Sequence, residues 1–150
     1  MVSAAINIAA AISCGNSVVL KPPTNAPLTS LELAKYISEI VDSSSSTYKT
    51  TQKCHIPKGL VNVITGDGRY GTGKFLASNM DVDCIHFMGT TFHGKDILKS
   101  AGESNLKKLG LTLGGKNSMI ILPDANLKMA AKLCCNAVFF NNGMSQTPIS

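Results

Sequence analysis

The chain has 150 residues, of which 44% are apolar and only 15% charged. Globular domains carry about 25% charge, so this balance excludes disorder, and the length fits one core of ordinary size rather than a two-domain enzyme. The net charge of +5 comes from 13 Lys and one Arg (Arg69) scattered along the chain, without Trp and with 5% aromatics, which excludes the clustered basic and stacking surface of a nucleic-acid binder and reads as solvated surface.

Met1 to Leu20 contains no charge and reaches the length of a membrane span. No basic stretch precedes its apolar part, which argues against a signal peptide. A buried Ala-rich helix, a stop at Gly15-Asn16 and a strand over Ser17-Val18-Val19-Leu20 explain the segment without a membrane. Lys21-Pro22-Pro23 ends that strand, because proline cannot donate to a ladder. Thr29 and Glu32 have capping-box spacing, and Leu33, Ala34, Ile37, Ile40 and Val41 follow at helical intervals. A polar Ser-rich run, about 43–55, reads as an inserted surface loop.

Pro57-Lys58-Gly59 predicts a turn and Leu60 to Ile64 a strand. Gly66, Gly68, Gly71 and Gly73 come next, leading into a short helix from Lys74 to Ser78. A strand over Asp83 to Phe87, the turn Gly89-Thr90-Thr91 and a helix from Phe92 to Ala101 follow. Two further strands are expected at Leu109 to Leu113 and Ser118 to Leu122, then a helix from Leu127 to Phe140 that ends at Asn141-Asn142-Gly143. Alternating strands and helices, with strands apolar on both faces, predict a doubly wound parallel α/β sheet. Such sheets bind ligands where their strands end.

Gly66-Asp67-Gly68-Arg69-Tyr70-Gly71 matches G-x-G-x-x-G, but the next strand closes on Phe87-Met88 where the fingerprint wants a ribose-binding acid. Gly68 to Lys74 fits most of a phosphate-binding P-loop, yet Phe75 stands where a magnesium-binding hydroxyl is required. Neither signature is complete. Five cysteines (Cys14, Cys54, Cys84, Cys134, Cys135) lack disulfide or metal spacing, which points to a reducing, cytoplasmic setting. No metal site is expected, and Cys134 and Cys135 are expected to be buried in their helix.

An ordered set of segments carries a resemblance. Gly15 to Pro22, Pro27-Leu28-Thr29, Gly59 to Gly66, Phe87 to Gly94, Leu113-Gly114-Gly115-Lys116 and Phe139 to Gly143 occur in the order of the aldehyde dehydrogenase superfamily, and the chain resembles a central part of that longer polypeptide. The resemblance implies a Rossmann-like domain for NAD or NADP over residues 1–113 and the beginning of a catalytic domain over 114–150. It assigns Lys21 to the adenosine ribose. Thr24 stands where NAD users carry a ribose-binding acid, and its lack of charge weakens the preference for NAD. Gly66 lies in the loop after the second strand. Gly89 and Thr90 take the pyrophosphate turn, and Leu113 lies near the nicotinamide. Lys21 as a plain strand-end lysine and Thr90 as a plain helix cap remain open.

The family's chemistry needs a thiolate nucleophile and a carboxylate base. The base position of the family's Leu-Glu-Leu-Gly-Gly is Thr112 here, and the nucleophile position is Gln146, with Ser145 or Thr147 one residue to either side. Neither role is retained. The oxyanion asparagine is expected in a segment before Met1 and the later cofactor contacts after Ser150. The sequence therefore predicts a pseudoenzyme or fragment that binds NAD(P) weakly. The alternatives are a non-catalytic module pairing with aldehyde dehydrogenase subunits as a homo- or hetero-oligomer, or a piece of an active enzyme.

Overall fold

A computed structural model describes residues 2–42, 57–115 and 118–143. The Ser-rich run and Gln146 lie outside them. In chain order the elements are helix α1 (Val2–Ser13), strand β1 (Val18–Leu20), helix α2 (Leu28–Asp42), strand β2 (Val61–Val63), helix α3 (Thr72–Ser78) and strand β3 (Cys84–Gly89). Helix α4 (Thr91–Gly102), strand β4 (Lys108–Leu113), helix α5 (Leu127–Phe139) and a 3-10 turn (Phe140–Gly143) complete them. The strands form two parallel pairs. Val18 lies opposite Val61 and Leu20 opposite Val63 in one; Cys84 lies opposite Lys108 and Gly89 opposite Leu113 in the other. This is the expected α/β architecture with parallel strands, and each pair is bridged by a helical crossover, as parallel pairing requires.

Glycine sets the first boundary. Gly15 adopts φ +77°, its N–H donates to Ile12 O at 2.9 Å, and the N–H of Asn16 donates to Ala11 O at 3.0 Å. This double bond pattern closes α1 and needs a left-handed residue. The next helix differs from expectation. It begins at Leu28, because the Pro27 carbonyl accepts from Ser30 N at 3.0 Å and Leu31 N at 3.1 Å. Thr29 thus falls inside the first turn, where its hydroxyl cannot serve as the cap, and Glu32 pairs instead with Lys35 at 3.7 Å.

Three burial expectations are corrected. Among the α1 residues whose burial is described, Ile8 alone is fully buried, while Ile6 is 62% exposed, so the uncharged helix is partly covered rather than enclosed. Cys135 is exposed and Cys134 only half-buried, so their helix does not enclose them. Lys107, counted with the solvated charges, is 6% exposed. Its Nζ donates to Ala77 O at 2.7 Å and to Ser104 Oγ at 2.9 Å, which supplies the partners that burying an ammonium demands.

The strand expected over Ser118 to Leu122 does not form. A strand exists through its neighbour's hydrogen bonds, and no described strand pairs with this run. Its apolar side chains stay outside, Ile120 at 85% exposure.

The turn after α4 joins segments distant in sequence. Leu106 takes φ +56°, and Asn105 Nδ2 donates to Met80 O at 2.9 Å and Val82 O at 3.0 Å. One side chain thus holds the entry to β4 against the entry to β3. Substituting Asn105→Ala removes the donors to the exposed Met80 carbonyl and the part-buried Val82 carbonyl and is expected to cost about 1–2 kcal/mol, read as a lower urea midpoint. An unchanged midpoint would show that water replaces the amide.

Candidate functional site

Every described residue singled out for the cofactor lies where a parallel strand ends. Lys21 follows β1 directly, Gly66 comes three residues after β2, Gly89 closes β3, and Leu113 closes β4. Thr24 is brought in by the chain's turn after Pro22. Its Oγ1 donates to Gly66 O at 3.2 Å, joining the loops that leave β1 and β2. Lys21 is half-buried, and its Nζ donates to Pro22 O at 2.8 Å, which holds the ammonium at the strand end with further N–H groups to give.

Thr90 is the N-cap of α4. With extended backbone (φ −74°, ψ 150°), it accepts the N–H of His93 on its side chain, at 3.3 Å. This bond satisfies one of the donors orphaned at a helix start. The helix itself sits tight on β4. A Cβ on buried Gly94 would lie 2.5 Å from Leu113 Cδ2, so a side chain there would force Leu113 to shift. Leu113 is thereby packed against α4 as well as closing its strand. Thr91 Oγ1 reaches Gly114 O at 3.5 Å, so the first turn of α4 and the end of β4 form one corner.

The Gly-rich loop after β2 answers the phosphate question differently. Asp67 Oδ2 accepts from Tyr70 N at 2.7 Å. The backbone N–H groups of Tyr70, then of Gly68, Gly71 and Arg69, hold the Asp67 carboxyl below its ordinary value of 3.8, against a smaller opposing effect of burial. A ring of backbone donors around an anion is what a P-loop offers to a phosphate. Here the chain's own carboxylate fills it, in agreement with the incomplete motif. Gly73 closes the loop: a Cβ there would lie 2.2 Å from Gly68 O.

Two features were not legible as site features. Arg69, grouped with the solvated charges, pairs with Asp96 of α4 at 3.2 Å. Its guanidinium lies 4.4 Å from the Phe92 ring centroid and 5.2 Å from that of Tyr70. The arginine therefore ties the loop after β2 to the first turns of α4, which brings the ends of both strand pairs together. His93 is the second. Its Nδ1 stands 2.9 Å from Thr90 Oγ1, a pair that a histidine three residues after a capping threonine could have signalled.

Thr112, expected at the family's base position, is half-buried in β4 opposite Met88. Among the described residues no cluster of three or more His, Cys, Asp or Glu side chains could hold a metal, and no helix is long and apolar enough to cross a membrane.

The family model for the aldehyde dehydrogenase family matches residues 1–148. The chain belongs to that family. It is 40% identical over 136 residues to aldehyde dehydrogenase, cytosolic 1, of Rattus norvegicus, covering 91% of this chain and 24% of that protein. Among solved structures, it is similar to the indole-3-acetaldehyde dehydrogenase AldA of P. syringae, determined with NAD+ and IAA. The TM-score is 0.77 at 38% identity, with 92% of this chain and 25% of that one covered. It is also similar to a 3,6-anhydro-L-galactose dehydrogenase determined with a bound dinucleotide, at TM-score 0.75 and 31% identity, covering 92% of this chain and 26% of that one. The chain thus spans about a quarter of the length of the relatives it matches.

Asp67 carries a pH prediction. Because its carboxyl is held low in the folded chain, the stabilisation is complete above the ordinary carboxylate value and is lost as pH falls through the lower, folded one. Protection of the Tyr70 amide against hydrogen exchange, taken relative to the unprotected rate at each pH, should fall over that acid range. Asp67→Asn should remove this dependence while exchange in β3 and β4 stays as before.

Proposed function

We propose that this aldehyde dehydrogenase chain binds a nicotinamide dinucleotide weakly, NAD or NADP, at its strand ends and does not oxidise aldehydes. The observation that carries the reading is the donor set assembled at those ends while Thr112 occupies the base position. A dinucleotide presents ribose hydroxyls and a diphosphate. The Lys21 ammonium and the Thr24 hydroxyl suit the ribose, and the capped start of α4, with Gly89 and Thr90, suits the diphosphate through its orphan N–H groups and dipole. Gly66 lets the loop after β2 lie close, and Leu113 offers an apolar contact to the nicotinamide. The relatives solved with bound dinucleotide support the assignment.

The bound dinucleotide would supply the hydride acceptor. What this chain's own residues lack is the remainder of the reaction. A threonine hydroxyl does not take a proton from water near neutral pH, and the amide of Gln146 is not a nucleophile. Residues 1–113 act as the cofactor part, and 114–150 begin the catalytic part. The free cysteines suit a cytoplasmic setting.

A second reading has its own observation. Leu127, Met129, Leu133, Val138 and Phe139 of α5 are all more than half exposed, apolar surface of the kind that marks protein contacts. It supports pairing with related subunits or with a second copy, which light scattering against concentration would read.

Calorimetric titration with each dinucleotide tests the first reading. Saturable binding at up to about millimolar cofactor, without aldehyde-dependent NADH formation, is the expected outcome. Absence of binding, or sustained turnover, would overturn it. Lys21→Ala should weaken binding by about tenfold. Thr24→Glu should shift selectivity toward NAD by a similar factor, roughly tenfold, because the new carboxylate accepts from a ribose diol and repels a 2′-phosphate.

A further inference from the structure

We infer that His93 is a positioning residue for Thr90: its protonation decides whether the Thr90 hydroxyl is spent inside the protein or offered to the diphosphate of a bound dinucleotide. This rests on the cofactor reading above.

The argument is one of counting donors. Thr90 Oγ1 accepts the His93 backbone N–H at 3.3 Å and stands 2.9 Å from His93 Nδ1. A hydroxyl has one proton to give and two lone pairs. With the ring neutral and its proton on Nε2, Nδ1 can only accept, so the Thr90 proton is directed to the ring. No hydroxyl donor then remains for a ligand at the start of α4. With the ring protonated, Nδ1–H donates to Oγ1 and both lone pairs are engaged. The hydroxyl proton is now free to turn outward. The same event adds a positive charge one turn into the helix, where the dipole already favours an anion. Histidine is the side chain whose ordinary titration falls between about pH 5 and 8.

The surroundings leave this pair to itself. Phe92 meets the His93 ring edge-on at 5.5 Å. On α4, Asp96 is engaged by Arg69 at 3.2 Å and Lys99 by Glu103 at 3.9 Å, and Lys95 is exposed. From the elements packed against α4 come Lys74 of α3, His86 of β3, Lys108 of β4 and the buried Lys107 just before it. Among the described residues, none of these forms a hydrogen bond or ion pair with the ring; Thr90 is its partner. His93 is exposed, so substitution there leaves the packing of Gly94 and Leu113 in place.

The test titrates NAD, whose diphosphate keeps its charge throughout, into the chain at both ends of the histidine range, about pH 5.5 and 8. Wild-type binding is expected to be about tenfold tighter on the acid side, and in His93→Gln this difference should vanish. In the cofactor-free chain, NMR should show the Thr90 methyl shifting with the same midpoint as the His93 ring, the neutral ring carrying its proton on Nε2. Binding of equal strength at both pH values overturns the inference while leaving the cofactor reading intact. So does an undiminished pH slope in His93→Gln, a Thr90 methyl indifferent to the ring, or a neutral ring protonated on Nδ1. No NAD binding at either pH overturns the cofactor reading and the inference together.

Discussion

Parallel strand pairing is the constraint on which the rest of this structure depends. Two parallel strands cannot be joined by a tight turn, so each returns through a helix and every strand leaves its pair at the same edge. That requirement, set by the register of Val18 on Val61 and Cys84 on Lys108, places Lys21, Gly66, Gly89 and Leu113 after or at strand ends. Arg69 completes the effect. Held by Asp96 and the Phe92 ring, it joins the loop from one pair to the helix that follows a strand of the other. A cation between an aromatic face and a half-exposed carboxylate is a modest contact, on the order of 1 kcal/mol, yet it decides which residues are neighbours.

The two anion-binding opportunities of the fold have been resolved in opposite ways. In the Gly-rich loop the backbone donors close on Asp67, an internal anion that costs no ligand-ordering entropy. At α4 the cap is a neutral threonine, which satisfies the His93 N–H and leaves the foremost N–H groups of the helix for another partner. The difference between a carboxylate and a hydroxyl at these two positions separates a self-filled loop from an open helix start. Geometry alone, a glycine-rich turn before a helix, is shared by both.

Thr112 shows how a strand position and a chemical role can be separated. The strand needs a side chain that fits a half-buried ladder position opposite Met88, and threonine fits such a position well. Under the proposed reading the family's reaction would need a carboxylate there, which the threonine does not supply, while Gly94 sits against Leu113 next to it.

How much could be read from residues alone follows the range of the interactions. Local and periodic features were legible: the stop at Gly15, the helices ending near Gly102 and Phe139, the parallel strands, and the family order of the motifs with Thr112 out of place. Features that depend on a partner distant in sequence were not. The run at Ser118 to Leu122 has the composition of a strand, but no described strand bonds to it. Cys134 and Cys135 sit on an apolar helix whose exposed face leaves them unburied, and Lys107 is buried because Ala77, thirty residues away, presents a carbonyl. Most of the elements and the family could be read from residue type and spacing. Which side chains share a site could not, because the pairing of Thr24 with Gly66, of Arg69 with Asp96, and the seat of α4 on β4 are set by contacts that no local pattern records.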